Sequence, residues 1–436
     1  MHTRDSIDVI FLWKRNRLFD RAAVVILFER CLDARIAEVT KVQQKPTKKW
    51  KPLPLTTVEL QKNASRFLRM NSQTAMTVAE GLYNKGFISY PRTETDIFDR
   101  GMDLKALVAK HTQDNRWGAF AQNLVDGAFK WPRQGRNDDK AHPPIHPIAS
   151  YQGDRSTDEG RLYEFVVRRF LACCSEDAIG TATDVELQYG SEGFHAHGVI
   201  VLERNYLDVY PYEKWTGNML PKFTLGEQFE PKEAMITDGK TTSPGYLTEP
   251  DLIALMDANG IGTDATMAEH IAKIKERSYV MTQFRGAGRA ADEDDASPAR
   301  GGHGGARGGG RGRGRGRGGG GPANARGGGA GVEEFIPTNL GVALIEGYDN
   351  VGFEEKLSKP FLRKELELRL KAICDGTKTK DEVIAAELGQ YKRVYRQTEE
   401  ELGVLKAVSS YISLNCQDPG PKLRTGVGET WAVLTQ

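Results

Sequence analysis

Apolar positions along this chain change their spacing from one stretch to the next, and that spacing predicts most of its elements. "IDVIFLW" at 7–13 is apolar and β-branched and predicts a strand, followed by the basic turn "KRNRLF". Residues 22–42, "AAVVILFERCLDARIAEVTKV", fit helix or strand by period, and the β-branched run favours strands. "KPTKKWKPLPLTT" is basic, proline-rich and extended. From Thr57, Val58, Leu60, Ala64, Phe67 and Leu68 recur at helical spacing. A second helix follows with Met76, Ala79, Leu82 and Tyr83 on one face, Ser72 as its cap and Gly86 as its stop. Pro91 then keeps Tyr90 on extended backbone. A helix over 158–174 precedes a long alternating stretch, 181–212, broken by glycine turns, which reads as strands returning to the sheet begun at the N-terminus. Two helices joined by "NGIG" fill 246–280, with Thr248 and Asp251 as a capping pair and Thr263 as a cap for the second. "EEFIPTNLGVALIEGY", "FLRKELELRLKAI" and "KDEVIAAELGQYKRVYRQTEEEL" restore order later, the last two as helices.

Composition alters this picture in one place. The chain has 436 residues and 47 glycines, and residues 301–330 concentrate seventeen of those glycines with six arginines. A stretch with so little to bury cannot repay its backbone entropy, so 285–331, including the acidic run Asp292–Asp295, is expected to be disordered. Its guanidinium groups suit either a plain linker or contacts to phosphates and unpaired bases. The last thirty residues show no clear pattern. The net charge of +1 says nothing about nucleic acid, because local fields outweigh the sum. Five cysteines without a Cys-x-x-Cys unit support neither a zinc ribbon nor a disulfide framework and point to an intracellular chain. No apolar stretch reaches the roughly 18 residues of a membrane span.

Chemistry centres on "FISYPRTET". Tyr90 and Arg92 are two apart on extended backbone and so point to a similar side. A phenol, ordinarily ionising near about 10, can attack phosphorus once positive charge or a base assists it, and arginine pairs with phosphate oxygens. Tyr-x-Arg alone is weak, and a tyrosine beside a proline is more often half-buried packing. His142 and His146 are four apart, but Pro143, Pro144 and Pro147 oppose a helix that would make them a metal pair. Basic residues from Lys41 to Lys51 offer either a DNA path or a solvated face, and Phe11, Trp13 and Phe19 read as core.

Several blocks together carry a resemblance. "GFISYPRTET", "NDDKAHPPIHP" and "GIGTDATMAEHI" resemble, in that order, three blocks of type IA DNA topoisomerases of the eukaryotic topoisomerase III group. "FLWKRNRLF", "TTVELQKNASRFL", "IPTNLGVALIEGY" and "LSKPFLRKELELRLKAICDG" resemble it too, so that about 8–400 is covered. The resemblance implies a multidomain α+β fold, the central region of that enzyme. Its β-rich domain would be discontinuous, from 1–58 plus 178–240. A winged-helix-like domain carrying the tyrosine would occupy 59–177, and a helical DNA-binding domain 246–284 plus 332–405, with 406–436 an irregular tail. It implies Tyr90 as the nucleophile that forms a 5′-phosphotyrosine on single-stranded DNA, Arg92 as the residue holding the scissile phosphate, and His142 as the residue that hydrogen-bonds the phosphate region and helps bring Tyr90 into place. Thr263 and Thr266 match the block that holds single-stranded DNA. Asp138, Asp139 and Lys140 match the family block without a firm role.

The family also carries a Toprim domain whose carboxylates bind Mg²⁺. No such acidic triad is found here, so the expectation is a fragment, unable by itself to relax supercoiled DNA. Relatives of this group work in the nucleus with RecQ-type helicases and an OB-fold accessory protein, without a nucleotide cofactor. The alpha and beta branches stay undecided, as does RNA beside DNA. The competing expectation is a non-catalytic single-stranded nucleic-acid-binding chain that uses the Arg/Gly tract and a topoisomerase-derived scaffold.

Overall fold

A computed structural model describes residues 2–4, 7–264, 266–284, 333–352 and 359–403. The Arg/Gly tract, the acidic run and the segment 406–436 lie outside the described residues. The chain divides into two compact units, Met1–Pro244 with Thr263–Ala268, and the rest from Gly245 onward.

In the first unit, β1 (His2–Arg4) pairs antiparallel with β2 (Ile7–Val9). β3 (Leu12–Trp13) leads to α1 (Arg21–Ala34) and then β4 (Ala37–Lys49). α1 corrects the strand expected from "AAVVILF". Asp20 accepts from the Ala23 N–H at 3.1 Å, an N-cap that nucleates a turn, and alanine, leucine, glutamate and arginine propagate it. Local capping overrides the weak β preference of the branched residues. Within α1 only Cys31 is buried. Phe19, expected in the core, is 84% exposed.

Four antiparallel pairings build a five-stranded sheet from β3, β4, β5 (Ala178–Tyr189), β6 (Glu192–Glu203) and β7 (Gln228–Phe229), in the order β3-β6-β5-β4-β7. β5 and β6 form a hairpin at Gly190, whose φ is +61° and where a Cβ would lie 2.7 Å from the Arg30 carbonyl oxygen. Only glycine satisfies both demands. Ala37, Val39, Val185, Leu187 and Ala196 are buried, while Asp184 and Glu186 stay partly exposed and pair with Lys45, Lys41 and Lys14. A register shift between Val39 and Lys41 interrupts the alternation of β4. Pro46 lies opposite Thr181, beyond the two residues of β4 that pair with β7, so its missing N–H breaks no second ladder.

Between β4 and β5 in the chain come α2 (Thr57–Asn63), a π-turn at Ala64–Leu68, α3 (Ser72–Asn84), α4 (Leu104–Ala109), α5 (Gly118–Asn123) and α6 (Asp158–Cys173). α6 is the central helix. Leu162, Tyr163, Phe165, Val166, Val167, Phe170 and Leu171 are all buried, which is why its apolar positions crowd more than one face. Its one buried cation, Arg169, donates to the Leu53 carbonyl at 2.9 Å and the Tyr210 hydroxyl at 3.1 Å. α3 is capped by Asn71 rather than by Ser72, which begins the helix and is buried. Extended segments here touch through the isolated bridges Leu55–Ile145 and Ile88–Pro147.

The rest of the chain carries α7 (Glu249–Ala258), α8 (Met267–Glu276), the antiparallel pair β8 (Val280–Phe284) and β9 (Glu333–Pro337), α9 (Asn339–Val351), α10 (Phe361–Cys374) and α11 (Lys380–Glu400). Thr248 and Asp251 form the capping box read from the sequence. α8 opens later than expected, at Met267, whose N–H donates to the Thr263 carbonyl at 3.3 Å. No helix among the described residues is long and apolar enough to cross a membrane.

Candidate active site

The turn that ends α3 delivers the tyrosine. Gly86 adopts φ +78°, its N–H donates to the Tyr83 carbonyl at 2.8 Å and the Phe87 N–H to that of Leu82 at 3.0 Å. These two bonds close the helix in a Schellman arrangement and turn the chain outward. Ser89 then binds the His146 backbone in both directions, N–H to carbonyl at 2.9 Å and hydroxyl from N–H at 3.0 Å. Tyr90 follows, half-buried, with Pro91 holding it extended.

Past Tyr90 the chain is clasped by α2. The buried Thr57 hydroxyl accepts from the Thr93 N–H at 2.7 Å and donates to the Pro91 carbonyl at 2.7 Å, and the Thr57 N–H donates to the Thr93 carbonyl at 3.1 Å. Backbone on both sides of Arg92 is thereby fixed. The Tyr90 ring meets Tyr83 edge-on at 5.3 Å between centroids and His142 at 4.7 Å with a 39° tilt. Arg92 reaches Glu80, its Nε donating at 2.9 Å and an Nη lying 2.6 Å from the same oxygen. Glu80 and Tyr83 are three apart on α3 and share a face, so the phenol and the guanidinium lie along one side of that helix.

The loop carrying His142 is organised by a carboxylate. Asp139 accepts from the N–H groups of Ala141 and His142, each at 2.8 Å, and from the Thr93 hydroxyl at 3.0 Å. Its own N–H donates to the Thr95 hydroxyl at 3.0 Å, and the His142 Nδ1 lies 3.7 Å away. Burial pushes the acid up, but the donors outweigh it and bring it down to about 2. Lys140 takes the left-handed conformation at φ +56°, which turns the loop back on itself. Asp139 thus ties the tyrosine segment to the histidine segment.

Tyr90 and His142, assigned from the sequence, are in ring contact, and Arg92 is anchored on the helix that also carries Tyr83. Thr57, Glu80 and the positioning contacts of Asp139 were not legible. Thr57 gave only a helix-start signal, and Asp139 only a family match. His146 is a different residue from His142. It is buried against Phe98 and Phe170, its Nδ1–H donates to the Pro144 carbonyl at 2.7 Å, and it is held below its ordinary basicity by burial. The two imidazoles therefore lie in different surroundings. Among the described residues no group of three or more His, Cys, Asp or Glu side chains could hold a metal ion.

A family model described as DNA topoisomerase matches residues 2–289. The chain is 42% identical over 406 residues to DNA topoisomerase 3 of Schizosaccharomyces pombe, across 92% of this chain and 58% of that relative. It is 45% identical over 395 residues to DNA topoisomerase 3-alpha of Homo sapiens, across 90% and 34%. It is 44% identical over 421 residues to DNA topoisomerase 3 of Caenorhabditis elegans, across 96% and 49%. The chain spans about half the length of these relatives or less. A solved structure of full-length topoisomerase I from Thermotoga maritima matches with a TM-score of 0.61 at 18% identity, over 89% of this chain and 56% of that one, and shares its fold. The chain belongs to the DNA topoisomerase family, within the type IA topoisomerase III group.

Proposed function

We propose that Tyr90 is the nucleophile of an ATP-independent strand-passage reaction on single-stranded DNA. The observation that carries this reading is the clasped, extended segment that sets Tyr90 against His142, with Arg92 two residues on and anchored to α3. In the step, the Tyr90 Oη forms a bond to phosphorus and the bond from phosphorus to the 3′-oxygen breaks. The proton lost by the phenol ends on the departing 3′-oxygen. The product is a 5′-phosphotyrosine and a free 3′-OH, and reversal reseals the strand. Arg92 pairs with the phosphate oxygens as charge builds, exchanging the Glu80 carboxylate for the phosphate. His142, packed on the Tyr90 ring, hydrogen-bonds the phosphate region and holds the phenol in line.

Mg²⁺ enters this proposal as the cofactor expected of the family, and no step here is routed through it. Membership of the eukaryotic group supports a nuclear location. It also supports partnership with a RecQ-type helicase and an OB-fold accessory protein. The test is the adduct itself. The protein as made in the cell, incubated with labelled single-stranded DNA and quenched in detergent, should yield a phosphotyrosyl peptide at Tyr90. An adduct that persists in Tyr90→Phe would overturn the assignment.

A further inference from the structure

A second surface of the first unit combines aromatic rings with cations: Phe129 and Trp131 are partly buried against the core, and Trp50 stands exposed beside them. Its first edge is the end of β4, where Trp50 is 61% exposed and the Arg133 guanidinium lies over its ring at 5.1 Å. Its second is the extended segment Phe129–Arg133. Here Arg100 lies over Trp131 at 4.8 Å, Lys105 over Phe129 at 5.5 Å, and the Phe129 and Trp131 rings meet edge-on at 6.2 Å. Buried Lys51 joins the two edges, since its Nζ donates to the Trp131 carbonyl at 3.0 Å while its own carbonyl accepts from Arg133 at 2.8 Å. The acids at this face are engaged: Glu176 pairs with Lys130 at 3.0 Å, and Asp177 accepts from the Lys51 N–H at 3.0 Å.

We propose that this surface is a stacking platform for unpaired DNA, built from Trp50 and Trp131 with Arg100, Arg133 and Lys105, and separate from the Tyr90 site. A tryptophan placed in the core packs its ring away from water; Trp50 does not. An exposed indole with a guanidinium over it offers a π-face to a base and a fixed positive charge to the adjoining phosphate, the two features that sequence-tolerant binding of single strands uses. Bases in a duplex have both faces covered by their neighbours, so the platform selects unpaired strand. The basic run ending at Lys51 suggested a DNA path along β4, but Lys41 and Lys45 are paired with Glu186 and Asp184. At the aromatic end of that run, Trp50 is exposed.

The platform also has a covalent connection to the tyrosine region. Arg100 follows the segment that carries Tyr90, and Trp131 precedes the segment that carries His142. The two segments are laced together at Asp96, whose carboxylate accepts from the Asn137 N–H at 2.8 Å and whose N–H donates to the Asn137 carbonyl at 3.0 Å.

The experiment is photo-crosslinking of the full chain to oligothymidylate carrying 5-bromodeoxyuridine, with mass-spectrometric location of the adducts. A site-resolved readout separates this surface from the arginines of 301–330. Cross-links at Trp50 or Trp131 are expected, with little competition from duplex of equal length. Trp50→Ala, an exposed position whose loss leaves the melting temperature unchanged, should lower affinity about 5- to 100-fold. Trp50→Phe should restore most of it, because a phenyl ring still stacks. Tyr90→Phe should leave the cross-links intact, whether or not the covalent chemistry proposed for Tyr90 holds. Absence of cross-links at both tryptophans, or a Trp50→Ala chain that binds as tightly as the parent, overturns the platform.

Discussion

Replacing Asp139 with asparagine tests whether one carboxylate sets the register between Tyr90 and His142. The acid's ordinary value of 3.8 is brought to about 2, because its hydrogen bonds with His142, Ala141, Thr93 and Thr95 outweigh the cost of burial. At about 1.4 kcal/mol per tenfold change in proton affinity, a fall of that size is worth about 2.5 kcal/mol. The side chain is still 21% exposed, and solvent reduces the figure to about 1–2 kcal/mol. The sign follows from which state binds the proton more readily. The unfolded chain does, so the contribution is complete above about 4 and is lost as pH falls through about 2. Urea unfolding of the parent and Asp139→Asn should therefore differ by about 1–2 kcal/mol near neutrality and converge in strong acid. Asparagine keeps the size but not the charge: with its carbonyl on the two N–H groups its N–H₂ faces the Thr93 hydroxyl, so the charge-assisted bonds that anchor the loop 139–142 are weakened. The yield of covalent DNA adduct at Tyr90 should drop with it. Curves that stay apart by the same interval from neutral to strongly acid pH would show that Asp139 is not the source. A variant of full stability that forms no adduct would point to a direct role in the chemistry instead.

Three further outcomes separate residues that hold the fold from residues that act. His146→Ala should cost about 3 kcal/mol and flatten the decline in stability below about pH 6.5 that buried neutral imidazoles impose, His111 adding its own share down to about 4, whereas His142→Ala should leave urea unfolding nearly unchanged and depress adduct formation. Lys51→Met should destabilise by about 3 kcal/mol in thermal or urea unfolding, because the Ser175 and Trp131 carbonyls at 2.6 and 3.0 Å lose a charged donor inside the protein. Arg92→Ala should cost less than about 1 kcal/mol of stability, since Glu80 is partly exposed, but should reduce single-turnover cleavage by about 100-fold or more.

The elements that could be read from the sequence are those in which one period was unmixed. β5 and β6 alternate over much of their length, and α6 carries apolar residues at helical spacing behind the Thr157 cap, so tertiary context had little to reverse. α1 was misread because its branched residues suit either state and the deciding feature was a single side-chain cap at Asp20. The start of α3 was missed by one residue for a related reason: asparagine and serine both cap, and only burial of Ser72 chose between them. Phe19 was read as core because hydrophobicity predicts the inside far better than it predicts the surface.

The site divides along the same line. Tyr90, Arg92 and His142 could be singled out as candidates because two short blocks of sequence, one at 87–95 and one at 137–147, carry the chemical groups. What makes them a site is supplied by Thr57, Glu80 and Asp139, and each of these acts across more than ten residues of chain or on backbone groups that no side-chain pattern reports. Thr57 spends its hydroxyl on the backbone around Pro91 and Thr93. Asp139 spends its carboxylate on the N–H groups of its own loop and on Thr93. Such bonds fix φ and ψ near the tyrosine rather than touching the phenol, so their signature is local backbone geometry. A threonine at a helix start or an aspartate in a loop is among the commonest features of any chain. It becomes specific only when the fold brings a second segment within 3 Å of it. The candidate groups can therefore be named from sequence, while the placement of the Tyr90 ring against His142 is a property of two segments held together, and Asp139 is where they are joined.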